Sequence, residues 1–278
     1  MSFPILDVSA APLAELLSLR GRRAIVTGAA RGLGRAIAAR LAEAGADVLL
    51  SDLERELAEQ AAAELSAIHG TRVISTPVDV VDSASVDAAA DLAVRELGGL
   101  DIWVNNAGVF PAFSALQASD EQWRQVQAVN LDGTFYGARA AARHMTRVGG
   151  GVIVNIVSTA GFRAPAPGLS AYVSSKHAVR GLTKELALEL APLGVRVLGV
   201  APTYVPTEGN LAAAEAGRAR AEAAGMDVED MGMDVMNHSL IGRLGTPDDI
   251  ARVVLFAASD LSLVMTGSTL LADAGEAI

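Results

Sequence analysis

Along the chain from Arg23, short apolar runs alternate with longer stretches in which apolar positions recur every three or four residues. "RAIVTG" is apolar and ends in glycine. "GRAIAARLAEAG" follows it, and Leu33, Ile37 and Leu41, four apart, share one helix face. Gly45 stands where the C-cap of that helix is expected. "ADVLLSD" predicts a buried strand, and "ERELAEQAAAELSAIHG" a helix with Leu57, Ala61, Leu65 and Ile68 on one face. "TRVISTPVDV", "LDIWVNNAG", "GGVIVNIVS", "GVRVLGVAP" and "STLLADAG" predict further strands, and Leu182, Leu186 and Leu190 mark another helix. Near-continuous apolar strands separated by helices call for a parallel sheet covered on both faces. Right-handed crossovers then make it doubly wound. The expected fold class is α/β: one domain over residues 23–278, with a parallel, seven-stranded sheet and helices on both faces. Residues 1–22 read as an N-terminal extension with a short helix around Leu13–Leu19, and residues 203–245 interrupt the alternation as an insert.

Composition narrows the partners. The hydrophobic fraction of 51% is ample for a core, and 19% charged residues argue against long disorder. The formal net charge is −10 and no basic stripe is visible, so neither nucleic acid nor an anionic membrane surface is expected as a partner. The chain has no cysteine, which excludes disulfides, thiolate metal sites and cysteine nucleophiles. "MSFPILDVSAAPLAELLSLRGRR" carries Asp7 and Glu15 and lacks the basic n-region of a secretory signal. No apolar run approaches the roughly 18 residues that span a bilayer. A soluble cytoplasmic protein is the expectation. His69, His144, His177 and His238 have no metal-ligand spacing, so no metal is expected.

The first chemical motif is "TGAARGLG", Thr27 to Gly34, which joins the first strand to the first helix. Gly28, Gly32 and Gly34 permit a tight turn and close backbone approach. The helix N-terminus, with Arg31 and Leu33 beside it, offers N–H groups and a partial positive charge to a pyrophosphate. The spacing is G-x-x-x-G-x-G rather than G-x-G-x-x-G, and the strand-before, helix-after context supports a Rossmann-type dinucleotide site. Asp52 ends the second strand, where an acidic side chain can bond ribose hydroxyls. A 2′-phosphate there would meet a carboxylate, so Asp52 favours NAD over NADP. Arg31 points the other way, because a cation beside the phosphates also suits NADP; it could equally meet pyrophosphate or solvent. Asp52 decides, since it sits where the ribose belongs.

Four further segments complete the pattern: "NNAG" at 105–108, Asn130 in "VNLDG", Ser158 in "NIVS", and "YVSSK" with Tyr172 and Lys176. With "TGAARGLG", in this order and at these spacings, the sequence resembles the short-chain dehydrogenase/reductase family from about Arg22 to Gly275. The resemblance implies that Tyr172 is the general acid/base and that Ser158 orients the substrate oxygen. It implies that Lys176 binds the nicotinamide ribose while tuning Tyr172, and that Asn130 holds a water in a proton relay. Asp79 and Val80 match the family's adenine contacts, Asn106 and Gly108 its path past the ribose, and Pro202, Val205 and Thr207 the segment after the sixth strand. Thr203 replaces the family's usual glycine, which puts the path of that loop in question. "LLADAG" departs from the usual Val-Asp-Gly-Gly and affects the C-terminal turn rather than the chemistry.

The residues support the tyrosine role independently. Lys176 is one of two lysines among 22 basic residues and lies four positions after Tyr172, hence on the same helix face. Free tyrosine has a pKa of about 10, and a nearby ammonium favours the phenolate. The expected activity is NAD-dependent hydride transfer between a secondary alcohol and a ketone. Two alternatives remain: an NADPH-dependent ketoacyl or ketone reductase, which Asp52 argues against, and a non-enzymatic nucleotide-binding regulator, which needs no Asn130/Ser158/Tyr172/Lys176 set. The insert 203–245 is the expected substrate lid, with Met226, Met231, Met233 and Met236 suited either to an adaptable apolar pocket or to packing against the body. Phe110, Phe162 and Leu169 are further candidates to face the substrate, which they mark as an apolar or alicyclic alcohol or ketone. The resemblance also implies a homotetramer.

Overall fold

Seven strands form one sheet in the order β3-β2-β1-β4-β5-β6-β7, every neighbouring pair parallel. They are β1 (Arg23–Thr27), β2 (Asp47–Asp52), β3 (Val73–Pro77), β4 (Ile102–Asn105), β5 (Gly151–Ile156), β6 (Val195–Pro202) and β7 (Thr269–Ala272). The computed structural model describes residues 7–209, 211 and 239–277. Residues 210 and 212–238 of the expected lid, with the four methionines Met226, Met231, Met233 and Met236 and with His238, lie outside them. The helices described are α1 (Leu13–Leu17), α2 (Gly32–Glu43), α3 (Arg55–His69), α4 (Ser83–Leu97), α5 (Asp120–Gln127), α6 (Gly133–Met145), α7 (Ser170–Leu190) and α8 (Pro247–Ala258).

Alternation along each strand builds two cores. Val26, Val48, Leu50, Val104, Val154 and Leu198 face Ile37, Leu41, Leu65, Ile250 and Val254, from α2, α3 and α8. The intervening Ile25, Leu49, Trp103, Ile153 and Val197 face Val86, Ala90, Ala138, Met145 and Leu186, from α4, α6 and α7. Both faces of the sheet are thus covered, which is why the strands read as unbroken apolar runs. Gly45 follows α2 with a φ of 101°, as the C-cap expectation required. In α3 the buried stripe is Ala58, Ala61, Ala62 and Leu65, whereas Ile68, expected to share that face, is 69% exposed in the last turn. The apolar period there runs one turn past the packing surface. Helix α1 buries nothing, but Leu19 just after it is 2% exposed, donates its N–H to Ala44 O at 2.8 Å and joins the core beside α2.

The sheet also carries a buried polar chain. Trp103 Nε1 donates to Asn105 Oδ1 at 2.6 Å, and Asn105 Nδ2 donates to Asn155 Oδ1 at 2.9 Å and to Thr134 O at 3.2 Å. Asn155 Nδ2 donates to Thr183 Oγ1 at 3.0 Å, and that hydroxyl donates to Val179 O at 2.8 Å. The chain runs from β4 through β5 into α7 with each amide engaged, which is what burial of such groups demands. Gly137 in α6 makes room for it: a Cβ there would stand 2.1 Å from Asn105 Oδ1 and 2.6 Å from Trp103 Nε1. Gly→Ala in a helix interior ordinarily stabilises by up to about 1 kcal/mol. Here the clash outweighs propensity, and Gly137→Ala is expected to destabilise by about 1–3 kcal/mol, read from the midpoint of urea unfolding. An unchanged or raised midpoint would contradict this packing.

Candidate active site

A parallel sheet sends every carboxyl end to the same edge, and the chain reverses its direction of travel between β1 and β4. Thr27–Gly28, Asp52, Asn105–Asn106, Ile156–Ser158 and Pro202 therefore converge there. Thr27 ties the turn after β1 to the turn after β4. Its Oγ1 accepts N–H groups of Asn106 and Ala107, each at 3.0 Å, while Asn106 Nδ2 donates to Thr27 O and Gly28 O at 2.9 and 3.0 Å. Asn106 thus braces the glycine turn from below. Gly28 and Gly32 have φ of 62° and 56°, and Gly34 lies so close that a Cβ would stand 2.1 Å from Gly28 O. No side chain caps α2, and its first turn holds no acidic residue. Its N-terminal N–H groups and positive dipole end are the complement of a phosphate. Thr207 lies above Gly32, its Cβ 3.4 Å from where a Cβ on Gly32 would be, so the segment after β6 reaches the same end of α2. Val205 is buried between them and the core. These residues fit a dinucleotide pyrophosphate.

Asp52 Oδ2 accepts from Ala30 N at 2.9 Å and Oδ1 from Glu54 N at 3.1 Å, so the carboxylate spans the glycine turn and the start of α3. Arg31 pairs with Glu54 at 2.6 Å. Asp79 is exposed, its Oδ1 accepting from Val81 N at 3.1 Å, and Val80 packs over Gly133, whose Cβ would stand 3.0 Å from Val80 Cγ2.

Asn130 lies in a π-helical turn, Ala128–Asp132, between α5 and α6, and is fully buried. Such one-turn insertions widen a helix locally and displace a side chain from its regular face. Asn130 Oδ1 accepts from Val109 N and Nδ2 donates to Val109 O, both at 2.8 Å, and Nδ2 also donates to Ser175 Oγ at 3.0 Å. A Cβ on Gly108 would be 3.3 Å from Asn130 Oδ1 and 3.8 Å from Lys176 Nζ, so Gly108, Asn130 and Lys176 share one small space.

Tyr172 and Lys176 sit on α7, as the spacing predicted. Ser158 lies close enough to Tyr172 for its hydroxyl to favour the ionised phenol, and Lys176 Nζ lies 5.8 Å from the Tyr172 ring centroid. Ser158 Oγ also accepts from Ala160 N at 3.1 Å, which fixes it at the end of β5. The lysine does not lower the phenol as expected. Its ammonium donates to Ile156 O at 2.7 Å, and burial alone brings its pKa down to about 8. For Tyr172, burial pushes the phenol above its ordinary value and the Ser158 hydroxyl only opposes that rise.

Two loops frame the site. Phe110 stands edge-on to Tyr172, ring centroids 6.1 Å apart, and is 40% exposed. Phe162, expected to face substrate, packs against Val157, Val179 and Ala201 and lies 3.9 Å under the Arg180 guanidinium. Leu169 precedes α7 as its N-cap residue. Glu276 was not singled out by the sequence. Its carboxylate pairs with Arg163, on the loop between Ser158 and Tyr172, and accepts from the Thr203 hydroxyl. Thr203 is outside the positive-φ region; among the described residues the non-glycine found there is Ala274, where the family has glycine, at 56°. The loop after β6 thus keeps an ordinary backbone at Thr203 and is anchored by its side chain.

Residues 22–218 match the family model described as short chain dehydrogenase. The chain is 39% identical over 258 residues to a galactitol 2-dehydrogenase (L-tagatose-forming) of Cereibacter sphaeroides, covering 92% of this chain and 95% of the relative. It is 39% identical to a D-threitol dehydrogenase of Mycolicibacterium smegmatis, covering 94% of each. A crystal structure of a gluconate 5-dehydrogenase from Burkholderia cenocepacia, in complex with NADP and tartrate, superposes with a TM-score of 0.86 at 34% identity, over 95% of this chain and 98% of that one.

The buried lysine has a measurable signature. Its folded pKa of about 8 lies below the value of 10.5 for an ordinary lysine, so between these pH values the unfolded chain binds more protons. Stability should therefore rise with pH across that window and level off above it. Lys176→Met is expected to flatten the rise relative to the parent chain, in urea unfolding at pH 7.5 to 10. Equal slopes would show that Lys176 is not desolvated in this way.

Proposed function

Since the chain belongs to the short-chain dehydrogenase/reductase family, we propose that it is an NAD-dependent oxidoreductase interconverting a secondary alcohol and a ketone, with Tyr172 as general acid/base. The observation that carries this reading is the placement of Lys176 Nζ 5.8 Å from the Tyr172 ring, with Ser158 fixed at the end of β5, on the sheet edge that holds the uncapped end of α2. Nicotinamide, when bound, supplies the hydride acceptor or donor. The chain's own residues do the rest. Gly28, Gly32, Leu33 and Gly34 receive the pyrophosphate, with Arg31 beside them held by Glu54; Asp52 takes the adenosine ribose, and Asp79 and Val80 the adenine. Asn106, Gly108, Pro202, Val205 and Thr207 shape the passage toward the reacting end.

The substrate oxygen would rest between the hydroxyls of Ser158 and Tyr172. Tyr172 removes the alcohol proton during oxidation and returns it during reduction. Its elevated pKa suits the donor role; proton removal in the oxidising direction requires that elevation to be offset once substrate and cofactor fill the site. Asn130 holds the turn at Val109 beside Lys176 and, in this reading, the relay that replaces the proton. General acid–base help of this kind is worth roughly 10²–10⁴-fold. The described part of the insert, with Thr203 anchored by Glu276, is the hinge side of a substrate lid. A substrate panel starts with sugar alcohols, after relatives named galactitol 2-dehydrogenase and D-threitol dehydrogenase, and continues with alicyclic alcohols because of the Phe110 wall. The working form we propose is a cytoplasmic homotetramer, to be checked by light scattering, where a monomer mass would refute it.

Tyr172→Phe is expected to lower turnover by at least about 10²-fold while NAD binding, followed by calorimetry, stays within a few-fold. Near-normal reduced-nicotinamide absorbance in that variant would sink the mechanism.

A further inference from the structure

Arg31 and Glu54 are the residues that precede α2 and α3, on either side of Asp52. Arg31 Nη2 lies 2.6 Å from Glu54 Oε1, with the side chains 52% and 49% exposed. Asp52 holds the two segments in register, one oxygen accepting from Ala30 N and the other from Glu54 N. The cation of the glycine turn, the residue best placed to favour a 2′-phosphate, is thereby turned toward a carboxylate two residues beyond Asp52.

We propose that Glu54 is a cofactor-selectivity residue that sequesters Arg31, so that a ribose 2′-phosphate meets two carboxylates and no free cation on this edge, while a 2′-hydroxyl leaves the pair undisturbed. The proposal rests on the reading of Asp52 as the adenosine-ribose ligand. An exposed pair of this kind stabilises the fold only weakly. It therefore acts by competition: a phosphate carrying nearly two negative charges has to draw Arg31 away from Glu54 and then sit beside the carboxylate it has displaced. Removing the Glu54 charge lifts both penalties at once. Arg31 becomes available for charge-assisted hydrogen bonds to the phosphate, and the repulsion is halved in number of carboxylates. A ligand without the 2′-phosphate gains neither benefit, so the effect separates the two nucleotides.

The test is isothermal titration of NAD⁺ and NADP⁺ into the full chain, the Glu54→Gln variant and the Arg31→Gln/Glu54→Gln double variant, at one low ionic strength. Glu54→Gln is expected to tighten NADP⁺ up to about fivefold, a gain of the size expected for freeing one exposed cation, with NAD⁺ within about twofold. The double variant is expected to lose that gain. NADP⁺ affinity unchanged in Glu54→Gln, or a gain that survives without Arg31, would overturn the proposal. Failure of the NAD assignment looks different: the parent chain itself would bind NADP⁺ more tightly than NAD⁺. A gain on Glu54→Gln that depends on Arg31 would still support the sequestering pair in that case.

Discussion

Where β1, β4 and β5 stop pairing, the ladder leaves backbone groups that water cannot reach, and each must find a partner or destabilise the edge. Thr27, Asn105, Asn106 and Asn155 meet this constraint with side chains. Thr27 Oγ1 receives the two N–H groups that begin the turn after β4, and Asn106 returns its amide to the carbonyls that begin the glycine turn after β1. Asn105 and Asn155 carry the same stitching into α6 and α7. The two turns that would touch a dinucleotide are therefore rigid for reasons internal to the protein. A site held in this way is organised before any ligand arrives, which is where electrostatic stabilisation of a reacting group is most effective.

Much of this was legible in the sequence because it follows from periodicity and punctuation. The apolar runs read as strands, of which β1, β2, β4, β5 and β6 are buried on both faces while the edge strands β3 and β7 are partly exposed, and the four-residue spacing of Tyr172 and Lys176 could only put both on one side of α7. The glycines at 28, 32 and 34 announced a close approach without saying to what; part of the answer is Gly28 O and the Asn106 amide. Less legible was everything set by burial rather than pattern. The helical period carried Ile68 inward, while the packing surface under α3 ends a turn earlier. An ammonium four residues from a phenol suggests a lowered pKa, but both groups lose solvent, and the lysine turns to a carbonyl. Asn105 was visible within its motif, yet nothing in the one-dimensional text couples it to Asn155, 50 residues on.

The edge of the site farther along the sheet is built differently. After β6 the loop gives up a glycine and gains a hydroxyl, and Glu276 receives that hydroxyl while pairing with Arg163. Two strands away from the dinucleotide turns, then, the framing loops are joined by long side chains rather than by backbone. Such contacts can be rearranged one residue at a time without disturbing the core. That division matches the general observation that one fold serves many substrates by altering loops over a constant scaffold. Ala274, with its φ of 56°, shows that the region tolerates some local strain.

The scarcity of lysine has a practical side. Of the two lysine side chains, Lys176 is 5% exposed and engaged with Ile156 O, whereas Lys184 stands exposed on α7. Reagents that acylate lysine thus meet a single accessible side chain. A dye, an affinity handle or a solid support coupled through such chemistry would sit at a defined place on the outer face of α7, leaving the reactive amine of the cleft untouched.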